Sequence, residues 1–144
     1  MKKNLLSVFV LVFLFCSCSS LSFFSCPYQL YEGKVSFLED SENIFLNFSF
    51  LNDSEKSVES FTISFSLCSS DDSETSFLDS SEKCELGILP HEERDFEIDI
   101  TERIRESWGE ENFSEALRVE NLYVRSIRYS NGSFWTDPYG MYGN

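Results

Sequence analysis

The 144-residue chain predicts a mainly β fold: an antiparallel β-sandwich of seven or eight short strands with one short helical crossover near residues 102–118. Three observations carry this expectation. Apolar residues recur with period two in segment after segment, the signature of strands with one buried face. Alanine, the strongest helix former, occurs once, at Ala116. Fifteen Phe, six Tyr and two Trp supply the bulk for a core and separate the chain from a disordered Ser-, Asp- and Glu-rich polymer.

The alternation begins at Val35. Ile44, Leu46, Phe48 and Phe50 fall on one face with Asn47 and Ser49 on the other, and Asn52-Asp53-Ser54-Glu55 then supplies a turn. Phe61, Ile63, Phe65 and Leu67 repeat the pattern against Thr62, Ser64 and Ser66, so the two segments are expected to pair antiparallel. Ser69 to Ser76 reads as an exposed loop, followed by short strands near Phe77-Leu78 and at Leu86 to Leu89, the second ended by Pro90. Phe96, Ile98 and Ile100 alternate with Asp95, Glu97 and Asp99, which gives a strand with one wholly acidic face.

From Thr101 to Arg118 the period changes. Ile104 with Trp108, and Phe113 with Leu117, sit four apart, as on two helical turns broken at Gly109, and this stretch is expected to cross between strands. Leu122 to Tyr129 returns to a strand, but Leu122 and Val124 lie on the opposite parity from Tyr123, Ile127 and Tyr129; either both faces are covered or a bulge intervenes. Ser130-Asn131-Gly132-Ser133 predicts a tight type I′ hairpin, with Phe134-Trp135-Thr136 as the returning strand and 139–144 as a mobile tail. Strands with one apolar face each must close against a second sheet.

Charge narrows the partners. The chain carries 11 basic and 25 acidic residues, a net charge of −14, and such a field repels phosphate backbones, so nucleic acid is excluded as an expected partner. Basic proteins or divalent cations are favoured. Asp95, Glu97 and Asp99 form the cation- or partner-binding candidate, although neighbours on one strand face stand about 6.6 Å apart, too far to share one calcium unaided. Asp71, Asp72 and Glu74 form a second cluster without a calcium-loop pattern. No metal ligand set and no catalytic set is read from the chain. His91, the single histidine, follows Pro90 in a turn with no Gly-x-Ser-x-Gly motif to serve, and Trp108 and Trp135 read as packing residues. Four Asn-x-Ser triplets, beginning at Asn47, Asn52, Asn112 and Asn131, match the N-glycosylation acceptor pattern, as expected by chance in so Ser-rich a chain.

At the amino terminus, Lys2 and Lys3 precede an apolar run from Leu5 to Phe15, long enough for a signal h-region and too short to span a bilayer. Phe15-Cys16-Ser17-Cys18 follows. This segment resembles a bacterial lipoprotein signal peptide with a permissive lipobox, in which Ser17 fills the small subsite and Cys18 is the thiol to be alkylated. The resemblance covers residues 1–18 and implies a covalent lipid on Cys18, cleavage before it, and anchorage to a bacterial membrane at the cell envelope. Loss of Lys2 and Lys3 leaves nine basic residues against 25 acidic ones, a net charge of about −16. Beyond the anchor, the order of elements from Ile44 to Trp135 resembles the immunoglobulin-like sandwich modules of bacterial lipoproteins, carried mostly by Ile127-Arg128-Tyr129-Ser130-Asn131-Gly132-Ser133-Phe134-Trp135.

The expected organisation is a signal peptide over 1–17, a lipidated tether over 18–30, a sandwich over 31–138 and the tail. An exported domain permits disulfides, and Cys68 and Cys84 flank the polar loop, which makes them the expected bridge; Cys26 pairing with either, or three reduced thiols, are the alternatives. The expected function is non-enzymatic: a membrane-anchored binding or structural module, with a cationic protein as the narrower partner. An acidic envelope hydrolase using Asp or Glu, and a secreted glycoprotein, are the competing readings.

Overall fold

The computed structural model describes residues 25–37, 43–69, 76–108 and 117–142. The leader, Cys18, the interior of the Ser69–Ser76 loop with its acidic cluster, and Phe113 lie outside them. Seven strands and one helix follow in order: β1 Tyr28–Phe37, β2 Ile44–Asn52, β3 Val58–Ser69, β4 Ser76–Ile88, β5 Glu93–Asp99, α1 Thr101–Trp108, β6 Leu117–Tyr129 and β7 Phe134–Thr136. They form a three-stranded antiparallel sheet, β1-β2-β5, and a four-stranded one, β4-β3-β6-β7. The fold is therefore a β-sandwich.

The alternating segments place their apolar sides as expected. Ile44, Leu46, Phe48 and Phe50 of β2, and Phe61, Ile63, Phe65 and Leu67 of β3, are all buried. Their pairing is not as expected. β2 bonds to β1 and β5, whereas β3 bonds to β4 and β6, so the two segments lie in opposite sheets and meet face to face. Phe50 stacks on Phe61 across the gap at 4.3 Å between ring centroids, and Phe96 of β5 meets Phe61 edge-on at 5.1 Å. Aromatic pairs at such distances add to the area term of burial.

Other departures have local causes. Phe77-Leu78 and Leu86-Ile88 belong to one continuous strand, β4, because β3 is long enough to template its whole length, from Cys68 opposite Ser76 to Val58 opposite Ile88. β1 starts at Tyr28, inside the stretch expected to be tether, because Tyr28 is an internal residue: its ring is buried against Phe50 and Trp135, and its hydroxyl accepts from Val124 N at 3.1 Å. The parity conflict in β6 is settled by a bulge. The register slips between Thr62 opposite Ser126 and Ile63 opposite Val124, so Val124 and Ile127 are both fully buried despite opposite parity. The hairpin after β6 is closed by Gly132 N to Tyr129 O at 2.9 Å, and Gly132, but not Asn131, has positive φ. It is thus a three-residue loop ending in a left-handed glycine, not the two-residue type I′ turn.

α1 realises the first half of the expected crossover. Asp99 Oδ1 accepts from Thr101 N at 2.9 Å, Thr101 Oγ1 accepts from Ile44 N at 2.8 Å, and Ile104 is fully buried. Leu117, expected on a second helical turn, opens β6 instead. Arg103 on α1 reaches β4, donating to Ser81 O at 3.0 Å and pairing with Glu82 at 2.5 Å.

The residues after β7 are tied down as far as Tyr142. Asp137, 2% exposed, accepts from Met141 N at 2.9 Å and from Tyr142 N at 2.8 Å, and its own N–H continues the ladder to Arg125 O. Gly140, at φ +65°, lies so close to the Tyr123 ring that an added Cβ would stand 2.9 Å from it. The segment expected to be a mobile tail is a fixed turn up to that point.

Candidate functional site

The acidic strand face predicted from alternation is present on β5, an edge strand of the three-stranded sheet. Glu93, Asp95, Glu97 and Asp99 are all exposed, and their inward neighbours Phe96 and Ile98 hold the strand on the core. The register sets each carboxylate at the end of a row. Ser49 and Tyr31 lie beside Asp95, Asn47 and Lys34 beside Glu97, and Phe45 and Ser36 beside Asp99. Ser49 Oγ donates to Asp95 Oδ1 at 2.5 Å, and Asn47 Nδ2 donates to Ser36 Oγ at 2.7 Å. A shallow depression of about 240 Å³ on this face takes in Lys34, Asn47, Ser49 and Asp95.

The four carboxylates do not act alike. Asp99 accepts bonds from the Thr101 hydroxyl and backbone N–H, which hold its carboxyl below the usual range, so it serves the helix start as well as the face. Asp95 and Glu97 point away from the sandwich. Among the described residues, no group of three His, Cys, Asp or Glu side chains is placed to hold a metal ion.

The expected Cys68–Cys84 bridge is overturned by the strand register. Cys84 stands opposite Phe61 and Cys68 opposite Ser76, so seven residues of β3 separate their levels, about 23 Å at strand rise. A disulfide requires Cα atoms within about 7 Å. Cys26, Cys68 and Cys84 are free thiols. Burial pushes all three up, Cys84 to about 12, and Cys68 Sγ in addition donates to Glu120 Oε2 at 3.3 Å. Thiols held in the protonated form are poor nucleophiles and poor metal ligands.

His91 sits in the β4–β5 turn at φ +59°, exposed, with Nε2 3.2 Å from Glu55 Oε1. Its ring pairs with a carboxylate, not with a hydroxyl or thiol. Trp135 packs edge-on to Tyr28 at 5.4 Å and to Tyr142 at 6.2 Å, the packing role expected of it.

Two polar residues missed by pattern reading organise the loops. Asn52 is fully buried; its Nδ2 donates to Lys56 O at 2.8 Å and Leu89 O at 2.9 Å, and its Oδ1 accepts from Ser54 Oγ at 2.7 Å. One side chain thus clamps the β2–β3 and β4–β5 turns together, and its amide is unavailable to a glycan. Asp137 does the same for the segment after β7. The signals were a polar residue ending an alternating run, read only as turn chemistry, and an Asp directly before Pro, which was not singled out.

No family model matches the chain, no curated protein matches it in sequence, and no solved structure matches its fold. Among the described residues, no helix is long and apolar enough to cross a membrane.

Proposed function

We propose that the chain is a lipid-anchored module of a bacterial envelope that works by non-enzymatic binding or structural contact, with a cationic protein as its partner. The observation that carries this reading is the row Glu93, Asp95, Glu97 and Asp99, exposed along one face of the β5 edge in a chain of net charge −14. The depression on this face, of about 240 Å³, is shallow. The face presents a flat, wet, negative surface, which selects partners by charge and accelerates their encounter. The acyl chains on Cys18 hold the module at a membrane; two or more are needed for stable anchorage.

Two measurements test the two halves. Intact mass of the processed chain from a bacterial host is expected to show acyl groups on Cys18, and a bare thiol in the culture medium overturns the anchor. Affinity for a small basic protein such as lysozyme is expected to fall by about tenfold or more between 50 and 300 mM salt, and further with Glu97→Lys. Binding that ignores both salt and charge reversal removes the acidic face as the selecting surface.

A further inference from the structure

We infer that the uncharged rim made by Tyr31, Tyr139, Met141 and Tyr142 rests on the interfacial layer of the bilayer to which the chain is anchored; this extends the lipid reading of Cys18 and rests on it. These side chains are exposed by 40%, 82%, 77% and 44% respectively. Tyr31 and Tyr142 line a cleft of about 280 Å³ together with Cys26 and Leu122, and Leu122 is also a wall of a second cleft, of about 390 Å³, that carries Tyr123 and Tyr139.

Three features specify a lipid surface as the occupant. The first is charge: Pro138 to Tyr142 carries no Asp, Glu, Lys, Arg or His in a chain of net charge −14, and the neighbouring Asp137 carboxylate is turned inward onto the Met141 and Tyr142 N–H groups. Among the described residues, the charges beside the rim are the pair Glu32 with Lys34 at 3.9 Å, neutral in sum, and Asp79, which lines the second cleft and accepts from Ser66 Oγ at 2.7 Å. This is where an acidic domain approaches an anionic membrane with least repulsion. The second is residue type. Tyr side chains, with apolar rings and wet hydroxyls, suit the headgroup level, and Tyr31 keeps its hydroxyl satisfied by donating to Gln29 Oε1.

The third is where the chain enters the fold. Cys26 lines the same cleft as Tyr31 and Tyr142, and Cys18 is eight residues before it, so Cys18 lies within about 29 Å of Cys26 however that stretch runs. The backbone beneath Tyr139, Met141 and Tyr142 is held in a turn: Asp137 accepts from Met141 N and Tyr142 N, and Gly140 lies against the Tyr123 ring.

Met141 makes the test direct, because removal of the leader takes away the other of the two methionines. The mature lipidated chain, carrying Phe37→Met as a reference sulfur at the far end of β1, is reconstituted into phosphatidylethanolamine–phosphatidylglycerol vesicles and treated with peroxide. Oxidation at each site is read by mass. The expected result is Met141 slowed roughly fivefold or more against the reference sulfur, relative to the same ratio in a soluble Cys18→Ser chain. Tyr139→Asp is expected to abolish that protection. A chain that carries lipid and stays on vesicles, yet oxidises at Met141 as fast as in solution, overturns the rim and leaves the anchor standing. A chain without lipid that stays in solution overturns the anchor, and the rim with it.

Discussion

Asp137 shows how one buried carboxylate organises a segment that composition assigns to disorder. Burial pushes its carboxyl up, but bonds from the backbone N–H groups of Tyr139, Gly140, Met141 and Tyr142 outweigh that and hold it below the ordinary 3.8. A carboxyl whose folded value is depressed contributes stability above its unfolded value, and that contribution drains away as pH falls through the folded one. Asp137→Asn is therefore expected to cost about 1–3 kcal/mol at pH 7 in chemical denaturation, with the gap from the parent closing below pH 3.8. A gap independent of pH down to 2.5 counts against the ionised form. The thiols invite an equally simple check. Alkylation without reductant is expected to be slow on the native chain and complete at Cys26, Cys68 and Cys84 once denatured. A 68–84 peptide pair resistant to alkylation would contradict the β3–β4 register.

Among the elements, alternation proved a reliable guide to faces and a poor guide to neighbours. β2 and β3 each show which side is buried, yet the pattern is identical whether the next strand bonds alongside or crosses to the opposing sheet. Contact across the core, such as Phe50 on Phe61, satisfies the apolar face in either case. β6 fails differently: its parity break is a real bulge at Arg125, visible in sequence as a conflict but resolvable only by the partner strand. α1 is short, and isolated helices of this length are unstable in water, so its existence depends on Asp99, Thr101 and the burial of Ile104. Arg103 extends that dependence outward by meeting a main-chain carbonyl on the edge strand β4. Arg103→Ala is expected to lower stability by about 1 kcal/mol in urea titration, and to increase hydrogen exchange around Ser81 before it affects β2.

Taken together, the two sheets enclose a core built from a few large rings, while nearly all ionisable groups stay outside. A net charge of −14 on one small sandwich repels itself. Moderate salt is thus expected to raise the midpoint of thermal unfolding by about 2–5 °C between 10 and 200 mM, read by circular dichroism, while weakening any basic partner. An unchanged midpoint would mean that the carboxylates lie too far apart to interact. The same distribution sets an acidic row along β5 and a cluster of tyrosines around the Cys26 cleft, with Tyr31 of β1 at the far end of the row that holds Asp95.

Much of this was legible in the order of residues. Period-two runs dictated strands and their buried faces, the scarcity of alanine ruled out a helical bundle, and Asp95, Glu97 and Asp99 were placed on one exposed face, because alternation and burial are local consequences of side-chain chemistry. Which strands bond to which, how far Cys68 lies from Cys84, and that Asn52 and Asp137 turn inward depended on contacts between residues remote in the chain. Their free energy comes from closing two sheets on one another, and no short stretch of sequence contains both partners of such a contact.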